Sequence, residues 1–415
     1  MPNQLEYTRS YLRSHLLFIV WPIAGLIYSL VNMKQRYTEN IIWFFCAFFG
    51  STFTISNEGM DANRYRDFLK SIYENPVSWS DFTNGLFNGT YGRGDYIEPL
   101  LRYITAQFTS DYRVLFFLFG LIFGFFFSRN IYFFFKHASL KNKPLTLTLC
   151  LYLVLIVPFW NINGFRFYTA FHIFIYALIH WIHYNKKTYA SLFLILAIFT
   201  HVSYIIGVIL FLLFLLIRKK ILLITFFFLS TFLFVQLDLE TIISYLPTQE
   251  LGSLDIYIKG YIKSDKYKLR EAFVQNRAWF LTLNEYLMKF LMVVWAMYLL
   301  LLKRDFLKNT TIGQMAVFAI LNYSFITVII DIPSMARFYF ISYMILGGIM
   351  ILLLNHVRWN FFDRATYLIS MPSIILFIFI QLRIGLDYIG FSTLLYNPLI
   401  VWFFENKIAL SDLIN

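Results

Sequence analysis

The stretch Trp160-Asn161-Ile162-Asn163-Gly164-Phe165-Arg166 sets one guanidinium and two carboxamides in a polar hinge between two long apolar runs. A guanidinium at the start of a helix opposes the helix dipole and gains nothing from it locally. Arg166 therefore either snorkels to lipid phosphate or forms a bidentate clamp on a phosphate or pyrophosphate, with Asn161 and Asn163 as neutral donors. Arg337, at the end of Asp331-Ile332-Pro333-Ser334-Met335-Ala336-Arg337, precedes another apolar run and invites the same reading. Two such arginines on one face are harder to assign to lipid anchoring than one.

A second kind of chemistry would need a proton acceptor. His201, in Thr200-His201-Val202-Ser203, interrupts an otherwise apolar run, where an ionisable side chain is costly and points to function. An imidazole can accept a hydroxyl proton at neutral pH, although a core histidine bonded to a backbone carbonyl would fit the same position. Glu98 stands directly before Pro99 in Tyr96-Ile97-Glu98-Pro99-Leu100-Leu101-Arg102-Tyr103, where it favours a helix N-terminus or serves as an acid or base. In Glu58-Gly59-Met60-Asp61-Ala62-Asn63-Arg64-Tyr65, a helix would put Asp61 and Tyr65 on one face with Arg64 beside them. Self-paired interfacial charges with a tyrosine anchor would give the same pattern. His172, His180 and His183 have no carboxylate pattern beside them, and no metal site is expected. Without a phosphate-binding glycine loop, a Walker motif, a zincin pattern or a Gly-x-Ser-x-Gly elbow, a nucleotide-driven pump is disfavoured. Any substrate must arrive through the membrane.

The elements that position these residues follow from composition. Of the 415 residues 59% are hydrophobic and 21% aromatic, with repeated apolar runs near the length that crosses a hydrocarbon core of about 30 Å. Strand-like alternation is missing, so an all-α polytopic membrane protein is expected, a single integral membrane domain over 1–415. Lys and Arg number 35 against 23 Asp and Glu, and part of the +12 balance serves cytoplasmic anchoring. Cys46 and Cys150 lie inside apolar runs and read as small core hydrophobes.

The runs place a first span at His15 to Asn32, too closely followed by Ile41 to Ile55 to be a cleaved signal. Val114 to Phe135 ends in Lys136, His137, Lys141 and Lys143, which marks that end as cytoplasmic and puts the polar loop 57–113 outside. Leu145 to Phe159 and Phe165 to Tyr184 form an antiparallel hairpin around the hinge. Tyr189 to Ile217 is basic at both ends, which favours a broken, re-entrant pair with His201 at its tip over one straight span. A second external loop is expected at 237–283, followed by spans at Asn284–Leu302, Ile312–Ile330, Phe338–Leu354 and Tyr367–Leu382. Tyr388 to Phe404, broken by Asn397-Pro398, reads as a further span or an interfacial element. The total is about eleven spans.

In this order Gly59-Met60-Asp61 with Tyr65 and Phe68, Glu98-Pro99, Asn163-Gly164-x-Arg166 with Ala170, and His201-x-Ser203 resemble the EpsG family of Wzy-like bacterial polysaccharide polymerases. The resemblance covers most of the chain, to about Tyr343. One departure is that Ser56 and Asn57 stand where many members carry an arginine before the Gly-x-Asp, and Arg64 is the candidate replacement. The resemblance implies a GT-C-like membrane glycosyltransferase, free of nucleotide sugar, cofactor and essential metal. It would join undecaprenyl-pyrophosphate-linked repeat units of O-antigen, capsule or exopolysaccharide at the outer face of the bacterial inner membrane. Implied partners are the lipid-linked oligosaccharides, the bilayer, a chain-length regulator and a flippase, with no nucleic acid. Arg166 and Arg337 would hold the pyrophosphate, with Arg64 as a third contact. His201 would be the base or would position the acceptor, with Glu98 and Asp61 as competing carboxylates. Tyr65 would hold a sugar or the lipid head, and Arg270 and Arg277 would capture substrate. The rival readings are an O-antigen ligase and a transporter or flippase of lipid-linked oligosaccharide. A transporter predicts an internal repeat and a polar path across the bilayer, whereas these candidates gather on one face.

Overall fold

The structure, a computed structural model, describes residues 4–55, 61–88, 90–91, 94–138, 142–232, 278–330, 332, 334–354, 360–404 and 408–413. Among these no strand forms, and the chain is an all-α polytopic membrane protein. Among the described residues six segments are long and apolar enough to cross a bilayer: Tyr112–Phe135, Lys143–His183, Trp279–Leu302, Thr311–Val328, Met335–Leu353 and Phe361–Gly385. Four shorter apolar helices accompany them. The chain packs into two compact units, one of Met1–Ile209, Gly347–Val357 and Gln381–Asn415, the other of Leu210–Leu346 and Arg358–Ile380.

The first unit opens with α1 (Gln4–Val20) and α2 (Pro22–Val31). The expectation of one span from His15 to Asn32 is corrected here. Pro22 has no N–H for a continuing helix and pushes Trp21 into an extended conformation, φ −149° and ψ 96°. The chain folds back so far that Ser10 Oγ lies 3.1 Å from the Tyr28 hydroxyl. Next, α3 (Tyr37–Ser51) packs along α7 (Tyr112–Phe135) at very close range. A Cβ on Gly120 would run into the Cys46 carbonyl oxygen, and one on Gly50 into that of Phe116, so glycine is what lets these backbones meet. Three helices too short or too polar to span fill the loop between them: α4 (Asp61–Glu74), α5 (Trp79–Phe87) and α6 (Ile97–Ala106). Ala62, Tyr65, Leu69 and Ile72 form the buried stripe of α4, at the three-four spacing of an amphipathic helix.

The candidate span of 41 residues from Lys143 to His183 would be about 60 Å long if straight, twice a hydrocarbon core. It is instead the expected hairpin. Helix α8 (Lys143–Ile156) stops ahead of Pro158, a 3₁₀ turn carries Phe159–Gly164, and α9 (Phe165–Leu178) returns. His172 Nε2 comes within 3.2 Å of the Val157 carbonyl oxygen, which only a reversed chain allows.

The broken element also reverses. Helix α10 (Lys187–Thr200) runs antiparallel to α9, with Tyr189 and Phe193 beside Tyr176 near one end and His201 beside Phe167 near the hinge. The next helix, α11 (Tyr204–Ile217), begins against α9. Tyr204 touches Phe167 and Phe174, and a Cβ on Gly207 would be in contact with Phe174. Near the C-terminus, Tyr388 to Phe404 does not span: it holds the short helix Phe391–Leu395 and irregular chain pinned to α1 and α3 by Trp21 Nε1–Leu394 O at 2.6 Å and Thr393–Thr52 at 2.8 Å.

The second unit contains α12 (Ile221–Ser230), α13 (Trp279–Leu302), α14 (Arg304–Asn309) and α15 (Thr311–Val328). It also holds most of α16 (Tyr339–Leu353) and α17 (Phe361–Gly385). Several buried polar side chains here pair with one another. Asn322 Nδ2 donates to Ser342 Oγ at 2.9 Å, Trp295 Nε1 to Ser370 Oγ at 2.8 Å, and Asp363 accepts from Tyr298 and sits 3.0 Å from Lys303 Nζ.

Candidate functional site

The hinge that sets Arg166 at the first turn of α9 and the break that sets His201 after α10 meet at one end of the first unit. A third segment joins them. Gly94, at φ 85°, turns the chain in a conformation that favours glycine, and Asp95 follows it just ahead of α6. Backbone bonding from Tyr96 N to Phe199 O at 2.8 Å docks this turn against the end of α10.

Asp95 is the centre of the arrangement. Its Oδ2 accepts from Arg166 Nη1 at 3.0 Å, and its Oδ1 accepts from the Val202 backbone N–H at 2.9 Å. The same Oδ1 lies 3.2 Å from His201 Nδ1, close in distance though not aligned as a hydrogen bond. The Asp95 side chain is only 4% exposed, against 29% for Arg166 and 25% for His201. Burial alone would raise the Asp95 carboxyl. The contacts with His201, Arg166 and the Val202 N–H outweigh it and hold the group below the ordinary aspartate range.

Beneath this triad lie three groups from α4 and α6. Glu98 and Arg102 pair at 3.4 Å, both almost fully buried, and Arg102 also stacks over Phe68 at 4.7 Å. Burial pushes the Glu98 carboxyl up, partly offset by Arg102 and Arg166. Tyr65 is buried against Phe119 with its hydroxyl beside the Arg166 guanidinium, and burial pushes its phenol up to about 12. Tyr65 Oη, Glu98 Oε1 and Ser203 Oγ are buried with no hydrogen bond among the described residues. Such atoms are ordinarily satisfied by ligand hydroxyls or water.

Arg166, His201, Glu98 and Tyr65, read separately from the sequence, thus belong to one neighbourhood. Asn163 has a different job from the donor role expected of it. Its Oδ1 accepts from Ala62 N and its Nδ2 donates to the Tyr388 hydroxyl, both at 3.2 Å, so it ties the hinge to α4 and to the C-terminal segment. Asn161 caps the 3₁₀ turn through its backbone N–H to Pro158 O at 2.9 Å. Asp61 and Arg64 pair with each other on the surface of α4, the self-paired alternative. Arg337 belongs to the second unit, exposed on a 3₁₀ turn, Met335–Phe338. Arg270 and Arg277 lie outside the described residues, as does the Gly59-Met60 portion of the first motif. Among the described residues no group of three His, Cys, Asp or Glu gathers as a metal site. Asp95 and the Arg102 pairing are absent from the sequence expectations. Their signals were Gly94 before an acid and an acid–base pair four residues apart.

A helical bundle of this kind, with charged groups collected at a helix hinge and a helix break, is a membrane-embedded protein with a buried charged cluster. The model of the EpsG family matches residues 37–404, and the chain belongs to that family of Wzy-like, polymerase-type membrane proteins. No curated protein and no solved structure matches the chain.

Proposed function

We propose that the chain is a polysaccharide polymerase, a GT-C-type membrane glycosyltransferase. It joins oligosaccharide repeat units carried on undecaprenyl pyrophosphate at the outer face of the bacterial inner membrane. Family membership supports the polymerase class. The observation that carries the reading to residues is the meeting of Arg166 and His201 at one buried carboxylate.

The chemistry needs a cation for the leaving group and a base for the acceptor. The acceptor sugar oxygen attacks the anomeric carbon of the donor chain. The bond from that carbon to pyrophosphate breaks, and its electron pair leaves with the lipid pyrophosphate. Negative charge then develops where Arg166 can meet it: a guanidinium has five N–H donors, and Asp95 engages one. With Nδ1 turned toward Asp95, the His201 Nε2 lone pair is the one offered to the acceptor hydroxyl proton. Arginine supplies the charge stabilisation, and no metal step is invoked. The buried hydroxyls of Tyr65 and Ser203 are suited to contacts with sugar hydroxyls. Glu98, locked against Arg102, is a weaker base candidate than His201, and Asp61 is weaker still. Arg337 is the anion-binding candidate of the second unit.

The test is chain-length analysis of polymer made in cells carrying Arg166→Ala or His201→Ala at matched membrane abundance. Loss of the ladder beyond a single repeat is expected for both. Wild-type ladders from both variants would sink the assignment.

A further inference from the structure

We propose that Asp95 is a positioning residue, holding the donor-side guanidinium of Arg166 and the base His201 in one frame through a single carboxylate. The inference rests on the polymerase reading above and adds a residue to it. Three observations carry it. The carboxylate is almost wholly buried, at 4% exposure, while the two groups it touches remain partly accessible. Its two oxygens divide their work, Oδ2 to Arg166 and Oδ1 to the helix break at His201–Val202. The Val202 N–H bond fixes the break itself, so Asp95 sets the place of the His201 backbone as well as the face of its ring.

The consequence is coupling. An imidazole whose Nδ1 faces a carboxylate turns its Nε2 to the opposite side, toward substrate. Arg166 competes for the same carboxylate from the α9 side. The other charged or titratable groups around it are Glu98 from α6, Tyr65 and Arg64 from α4, and the Arg102 partner of Glu98. A pyrophosphate that draws Arg166 toward itself moves a partner of the carboxylate that also faces His201, so donor binding and base placement are coupled.

The experiment uses the purified full chain in detergent or nanodiscs, with a synthetic lipid-pyrophosphate-linked repeat as substrate. It compares wild type with Asp95→Asn, which keeps the shape and removes the charge. The expected result is a fall in kcat of about tenfold to a hundredfold, the size typical of groups that orient a reacting residue. Donor KM should not rise, because Arg166 loses a competing anion. A merely structural role would lower the yield of folded enzyme and leave the kcat and KM of what remains at wild-type values. Wild-type kcat in the folded Asp95→Asn enzyme overturns the inference. If Asp95→Asn does not accumulate, Asp95→Glu serves: it keeps the charge and displaces it, so kcat must fall, and an unchanged kcat overturns the inference. Failure of wild type itself to lengthen glycan sinks the polymerase reading instead, which keeps the two outcomes separate.

Discussion

A guanidinium and an imidazole that share one carboxylate are no longer independent residues. For Arg166 the shared anion fixes the fork but leaves donors for a second one, so shape matters as well as charge. Arg166→Lys should therefore keep the protein folded and lower kcat/KM for the lipid-linked donor by roughly tenfold to a hundredfold, measured by single-turnover glycan extension. Glu98 gives a pH prediction of definite sign. Its folded-state carboxyl is raised above the usual 4.5 by burial, so the folded chain binds that proton more tightly than the unfolded chain. Its contribution to stability is complete below 4.5 and is lost as pH rises through the folded value. Asp95 acts oppositely, its contribution being present above 3.8 and lost as pH falls through its lowered value. Glu98→Gln, fixed in the neutral form, should show a smaller rise in melting temperature than wild type as pH is lowered toward 4.5. Arg166 and His201 stood out in the sequence because charge is rare among apolar residues. Asp95 did not, because it lies in a polar loop where a carboxylate is ordinary.

At the scale of elements, the site depends on two interruptions, the 3₁₀ hinge before α9 and the extended His201 after α10. Both were legible as polar breaks in apolar runs, the first reversal from the short connection between its runs and the second from the basic residues at both ends of Tyr189 to Ile217. The α1–α2 reversal was not, since hydropathy registers an apolar run and not its direction; Pro22 was the available signal. Asn163 anchors the hinge through two side-chain hydrogen bonds, each worth about 1 kcal/mol. Asn163→Ala should lower stability by roughly 1–3 kcal/mol in detergent unfolding and reduce kcat through misplacement of Arg166, while residual enzyme keeps its donor specificity. On the close contact of α3 with α7, Gly120→Leu should cost more, because the new side chain meets the Cys46 carbonyl rather than a movable tip. A melting temperature equal to wild type would show that this contact is looser than described.

At the scale of the molecule, the account requires the loop of α4 to α6 to face outside and the Lys186-Lys187 end of α9 and α10 to face the cytoplasm. Cys46 and Cys150 are both buried, so a single introduced cysteine reports cleanly. Ser80→Cys on α5 should react with a membrane-impermeant maleimide added to intact cells with a permeable outer envelope, and Lys187→Cys only after lysis. Reversal of the two would put the site on the wrong face for a lipid-linked substrate displayed outside. All-α membrane architecture could be read from composition and run length, because a bilayer admits few solutions. Sugar identity and linkage depend on the shape of a pocket, which composition does not encode.

If Arg166 and His201 serve one glycosyl transfer, purified full chain mixed with a synthetic undecaprenyl-pyrophosphate-linked repeat must reveal it. Wild type should yield glycans of two or more repeats with release of lipid pyrophosphate, and Arg166→Ala and His201→Ala should each fall by at least about a hundredfold. Extension at the wild-type rate by either variant, or movement of the lipid-linked repeat across a vesicle membrane with no new glycosidic bond, would contradict it.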